Sequence, residues 1–287
     1  MRYSFSGHES FHCKSLWLKK GYDYLLNGKS FNDTFAVVNL GVGKNMVSSI
    51  RFWLKAFELQ ENDVPTSIAN YIFNDEYGVD PFCEDIATLW ILHFHLVKSA
   101  IASIYNLTFI DFQKERKEFD KNQLQGFIKR MCSVPEQKNV YNENTVKKDI
   151  NVILQTYVSP TDLKQIERFT SLLINLELIR EIDEGNFRFN ETAAENLPLD
   201  VLLYSLLNIK EEDIVISFDK IQYLSLLYCL PVTKMLGLIV ELEKKYPNII
   251  EYTDNSGIRN IHIKKELNPL SVLNNYYLHS DEVHTIN

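Results

Sequence analysis

The chain has 287 residues, with 30 Lys plus Arg against 38 Asp plus Glu, a formal net charge of -8, 45% hydrophobic residues and 24% charged ones. That balance excludes a disordered or fibrous chain, and domain sizes of roughly 100–150 residues leave room for two or three domains. Net acidity excludes an indiscriminate coat for nucleic acid, but it says nothing of a local basic face.

Taken in chain order, the pattern is mainly helical. Phe11, Trp17, Leu18, Tyr22, Leu25 and Leu26 share one helical face, which predicts a helix over 11–26 that stops at Asn27-Gly28. Further helices are expected over 32–39, 44–59 and 68–73, then a strongly apolar one over 82–105 opened by Asp80-Pro81, and a charge-rich one over 111–131. Amphipathic helices over 145–157 and 161–176 precede two short strands, 178–182 and 186–189, joined by the turn Asp183-Glu184-Gly185. The same order returns as helices over 218–229 and 231–246, then strands 249–252 and 258–263 around Asp254-Asn255-Ser256-Gly257. Two helices followed by a hairpin is the order of a winged helix. The expected fold is therefore mainly α: a helical module with a helix-turn-helix over 1–125, then winged-helix-like modules with small hairpins over 126–200 and 201–287.

Cys13, Cys83, Cys132 and Cys229 are widely spaced with no paired-cysteine motif, and the first residues carry no apolar signal stretch. No apolar run reaches the roughly 18 residues of a membrane span. A cytoplasmic protein with reduced thiols and no membrane partner is the expectation.

The most specific local signal is Phe35 to Arg51. Val37 is expected between two helices, Gly41 in the left-handed turn, and Val47 and Ile50 against the core. The remaining positions point outward: Lys44, Asn45, Ser48 and Ser49 toward a DNA groove, with Arg51 and Lys55 reaching phosphate. The alternative is a helix-turn-helix used only for packing or protein contact. Charge favours DNA. Residues 1–57 hold eight basic and three acidic side chains, so the bulk figure divides into +5 there and -13 over the rest.

His8-Glu9-Ser10-Phe11-His12 spells H-E-x-x-H, the spacing at which two histidines on a helix bind zinc beside a glutamate base. Its position, directly after Gly7 and without a third ligand at a usual spacing, makes a zinc hydrolase the weakest of three readings. Asp80, Glu84 and Asp85 are expected to cap a helix, while His93 and His95, two apart, face different sides of it. There is no phosphate-binding glycine loop and no nucleophile elbow. No catalytic residue, cofactor or metal is expected.

Phe5-Ser6-Gly7-His8-Glu9-Ser10-Phe11, the block Leu40 to Val47 with Ile50-Arg51-Phe52-Trp53, Asp80 to Asp85 with Thr88-Leu89-Trp90, Thr145 to Asp149 and Phe187-Arg188-Phe189-Asn190 together resemble the bacterial family catalogued as domain of unknown function 4007. The resemblance spans nearly the whole chain, through Tyr276-Tyr277, and its most specific part is Gly41 to Trp53. Proline is usual in that family where His12 stands, and leucine at Cys83, so H-E-x-x-H is peculiar to this sequence. By association, the resemblance implies a DNA phosphorothioation or anti-phage locus. The leading expectation is a DNA-binding or DNA-scaffolding protein of such a system, with duplex DNA and modification proteins as partners; a protein-interaction subunit that does not touch DNA is the second.

Overall fold

The computed structural model describes residues 2–160, 170–255 and 257–284, so the first part of the helix expected over 161–176 lies outside the described residues. The chain divides into two compact units, Met1–Asn190 and Glu191–Asn287, set beside the three modules expected from sequence.

In the first unit, α1 (Trp17–Leu26), α2 (Ala36–Leu40) and α3 (Lys44–Ala56) form the N-terminal helical group. A two-stranded hairpin, β1 (Gln60–Glu61) and β2 (Val64–Pro65), follows, then α4 (Ser67–Phe73) and α5 (Ile86–Ser99). Apolar on nearly every side, α5 is buried from Ala87 to Val97, as a helix without a polar face must be. It begins where the Asp85 carboxylate accepts the Ala87 amide at 2.7 Å and ends at Ala100, whose φ of 52° is left-handed. The apolar helix expected over 82–105 is thus two pieces, with α6 (Ser103–Asn106) beyond the break, followed by the π-helical Leu107–Phe112 and α7 (Gln113–Glu115).

The single charge-rich helix expected over 111–131 is also divided. A short strand, β3 (Glu118–Asp120), interrupts it before α8 (Lys121–Met131). The break is local chemistry: the Asp120 carboxylate accepts the Gln123 amide, and the Gln123 side chain accepts the Asp120 amide, a capping box that starts a new helix. Beyond α8, α9 (Glu143–Tyr157) is capped by Asn142, and the expected hairpin forms as β4 (Ile179–Asp183) and β5 (Asn186–Phe189), with Gly185 at φ 78°. The three strands pair antiparallel in the order β3-β5-β4.

The second unit repeats that order. A buried helix, α10 (Leu199–Ile209), precedes β6 (Val215–Ser217), α11 (Phe218–Leu227), α12 (Val232–Lys245), β7 (Ile250–Asn255), β8 (Ile258–Ile263) and α13 (Pro269–His284). Its sheet runs β6-β8-β7, all antiparallel. Buried Asp200 on α10 accepts Lys245 Nζ at 2.6 Å and the Tyr246 hydroxyl, tying α10 to the end of α12. Among the described residues no single helix is long and apolar enough to cross a membrane.

Candidate nucleic-acid interface

The turn between α2 and α3 has the expected geometry. Gly41 is left-handed at φ 62°, closing α2, and Gly43 is extended at the start of α3. On α3, Val47, Ile50, Trp53 and Leu54 are buried, so the helix is fixed by one face. Val37 does not pack between the helices: it is 38% exposed, and Ala36 and Leu40 fill that place at 2% each. Since α2 has only five residues, it offers one buried turn, and Phe35 and Val38 point outward at 66% and 76% exposed.

The six candidate DNA contacts separate into three groups. Lys44, Asn45, Ser48 and Lys55 are exposed and fall within an arc of roughly 100° at 3.6 residues per turn. Ser49 is a correction: it is fully buried, and its hydroxyl donates to the His8 carbonyl at 3.1 Å. Helical spacing alone puts Ser49 on the flank of α3, and the N-terminal segment covers that flank. Arg51 is half-buried and engaged: Nη2 and Nε donate to the Asp63 carboxylate at 2.6 and 3.0 Å, and Nη1 donates to Asn32 Oδ1 at 3.0 Å.

The N-terminal segment is bound closely to this helix. Gly7 lies against the Phe52 ring, where an added Cβ would come within 2.2 Å of a ring carbon. The His8 ring stacks on Trp53 at 5.8 Å between centroids, and Trp53 Nε1 donates to the Phe11 carbonyl at 3.1 Å. Glu9 and Ser10 have φ of 50° and 65°, so His8 and His12 are not one helical turn apart and no zinc-binding helix forms. His8 faces Asp149, whereas His12 Nδ1 lies 3.4 Å from Gln155 Oε1. Among the described residues no three His, Cys, Asp or Glu side chains are grouped to hold a metal. Of the three acidic residues expected to cap, Asp85 alone is the N-cap of α5; Asp80 instead accepts the Glu84 and Asp85 amides at 2.9 and 3.0 Å in the turn before it.

Beside the exposed face of α3 opens a cleft of about 730 Å³, whose far side is the β1–β2 hairpin. Ser48, Phe52 and Lys55 line it from α3, and Glu61 and Asn62 line it from the hairpin. Sequence reasoning missed this hairpin. Its signal is Asn62-Asp63, a pair of residues tolerant of positive φ, here at 52° and 61°. At the cleft, burial works to raise the Glu58 carboxyl, but hydrogen bonds from His95 and Lys98 outweigh it and hold the group at about 2. Burial pushes His95 down from its ordinary value, against the pull of Glu58.

The family profile described as "Protein of unknown function (DUF4007)" matches residues 5–277, and the chain belongs to that family. Two solved structures are similar in fold. "Magnesium ion-bound SspB crystal structure" aligns with a TM-score of 0.83 at 22% identity, covering 96% of this chain and 88% of the other. "SspB crystal structure" aligns with a TM-score of 0.82 at 23% identity, over the same shares of the two chains. No curated protein matches the chain.

Proposed function

We propose that this chain is a DNA-binding accessory protein of a bacterial DNA-modification or anti-phage defence system, and that it meets duplex DNA with the exposed face of α3. One observation carries the reading: Lys44, Asn45, Ser48 and Lys55 share that face, while the opposite face is buried. A groove-reading helix needs this division, with amide and hydroxyl groups for base edges, cations for phosphate and an immovable back. The excess positive charge of residues 1–57 supports it. Arg51 and Ser49 take no part, being committed to Asp63 and to the His8 carbonyl.

The two strand–helix–helix–hairpin arrangements are read as winged helices. Supporting this, the last strand of each lies between the other two, in the orders β3-β5-β4 and β6-β8-β7. The DNA-modification setting rests on the family resemblance, and the four buried free thiols support a cytosolic one.

An anisotropy titration of labelled duplex tests the reading. Affinity should fall steeply between about 50 and 200 mM salt, and Lys44→Glu with Lys55→Glu should weaken it at every duplex sequence. Absence of affinity at low salt, or affinity unchanged in the double variant, removes the proposal. A second reading, a protein-interaction subunit of the same kind of complex, is favoured by the exposed Phe35, just before α2, and Val38 on α2. Co-purification of a modification enzyme without DNA affinity would select it.

A further inference from the structure

The polar groups lining the cleft beside α3 are of two kinds. One set is satisfied within the protein: Arg51 by Asp63, Glu58 by His95 and Lys98, and Gln60 by the Asp63 amide. The other set is Ser48, Lys55, Glu61 and Asn62, whose side chains have no hydrogen-bond or ion-pair partner among the described residues. Between them Phe52 and Ile101 supply an apolar lining. At about 730 Å³ the space is in the range of small-molecule sites.

The open set has a definite chemical shape. Lys55 and Ser48 offer a cation and a hydroxyl at the α3 side, which suits phosphate. The half-buried Phe52 ring offers a surface for a planar group. Across the cleft, Glu61 presents a carboxylate that only accepts, beside the Asn62 amide that both donates and accepts. An anion at one end, a flat body and a donor edge at the other describe a nucleotide. Guanine fits the carboxylate best, because its N1–H and N2 amino group can donate to the two oxygens together. Ser48 and Lys55 also belong to the proposed DNA face, so a strand held on α3 enters the cleft without a gap.

We infer that the cleft between α3 and the β1–β2 hairpin binds a single unpaired guanine nucleotide of the DNA strand held on α3. This rests on the DNA-binding reading and names the part of the DNA that the site takes. A paired base cannot enter, because its donor edge is occupied and its faces are stacked; the base must already be extrahelical or leave the duplex.

The test uses the full chain and three labelled duplexes: fully paired, with one extrahelical dG, and with one extrahelical dT. The dG duplex should bind about tenfold more tightly than the paired one, as one stacked base contributes, with the dT duplex between them. Glu61→Gln lies on an exposed hairpin tip, so it should keep the affinity for paired DNA and abolish the preference for dG over dT. Equal affinity for all three duplexes, or a dG preference that survives Glu61→Gln, overturns the inference and leaves the DNA-binding reading in place. No affinity for any of them overturns both.

Discussion

Nε2 of His8 lies 3.2 Å from Oδ1 of Asp149, and both side chains are buried. His8 Nδ1 accepts the Ser10 amide at 3.1 Å, so the other ring nitrogen is the one turned toward the carboxylate. Asp149 also accepts the Ser6 amide with both oxygens at 3.1 Å. Through His8, then, the N-terminal segment joins α9 on one side to Trp53 and Ser49 of α3 on the other. The resemblance-bearing stretches Phe5–Phe11, Ile50–Trp53 and Thr145–Asp149, far apart in sequence, meet at this one place.

Asp149→Ala should be strongly destabilising. It removes the acceptor of the part-buried Ser6 amide and the carboxylate that faces the buried His8 ring, and an unsatisfied buried group costs about 1–3 kcal/mol. Urea unfolding should show a lower midpoint at an unchanged slope. Asp149→Asn keeps one acceptor oxygen and should lose less. A midpoint unmoved in the alanine variant would mean that the segment is held by its other contacts alone.

Gly7→Ala should cost about 1–3 kcal/mol, the usual cost of overpacking a filled core. The added carbon would overlap Phe52, which Trp53 and His8 hold in place by edge contacts at 5.4 and 5.9 Å. Introducing the same change into Phe52→Leu should cost less, because the leucine leaves room beside Gly7. A double-mutant cycle with no coupling would refute the contact.

Local rules recovered part of this molecule. Gly41, the Asp85 cap, the Asp183-Glu184-Gly185 hairpin and the buried face of α3 all follow from a few neighbouring residues, and all stand where spacing put them. Ser49 was illegible because what covers it is the His8 carbonyl, 41 positions away. Arg51 looked like a phosphate contact because Asp63 and Asn32 are invisible to a helical wheel. The long helices expected over 82–105 and 111–131 failed for another reason: apolar periodicity runs through a break that capping at Asp85, Asp120 and Ala100 imposes. The cleft was out of reach altogether, since it needs α3 and the hairpin side by side.

Acid should weaken the fold in two stages. His95 is pushed below 6.5 in the folded state by burial, so its contribution is complete above 6.5 and declines as the unfolded chain takes up the proton. Glu58 sits at about 2 against 4.5 when unfolded, so its contribution is present above 4.5 and is lost as the pH falls toward 2. Lys98→Gln removes the ammonium that hydrogen-bonds Glu58 and helps hold it down, and the acid-unfolding midpoint should move to higher pH. His95→Gln should lose the first stage, so its stability relative to wild type should improve from pH 7 to pH 5. An unchanged difference over that range would mean that His95 titrates alike in both states.

Ser49→Ala and Lys44→Glu should separate stability from DNA contact, because the two residues lie on opposite sides of the boundary that the N-terminal segment draws along α3. Ser49→Ala leaves the His8 carbonyl without its buried donor and should lower stability by about 1 kcal/mol. Below its melting temperature, its duplex affinity should match the wild type. Lys44→Glu sits in water at the start of α3, where a surface change moves stability by about 0.5 kcal/mol or less. Its duplex affinity should fall, and the slope of log affinity against log salt should drop by about one for the lost phosphate contact. If Ser49→Ala instead reduced affinity at full occupancy of the fold, the groove would reach deeper into α3 than its exposed face allows. If Lys44→Glu left the salt slope intact, the basic end of α3 would not be where DNA lies.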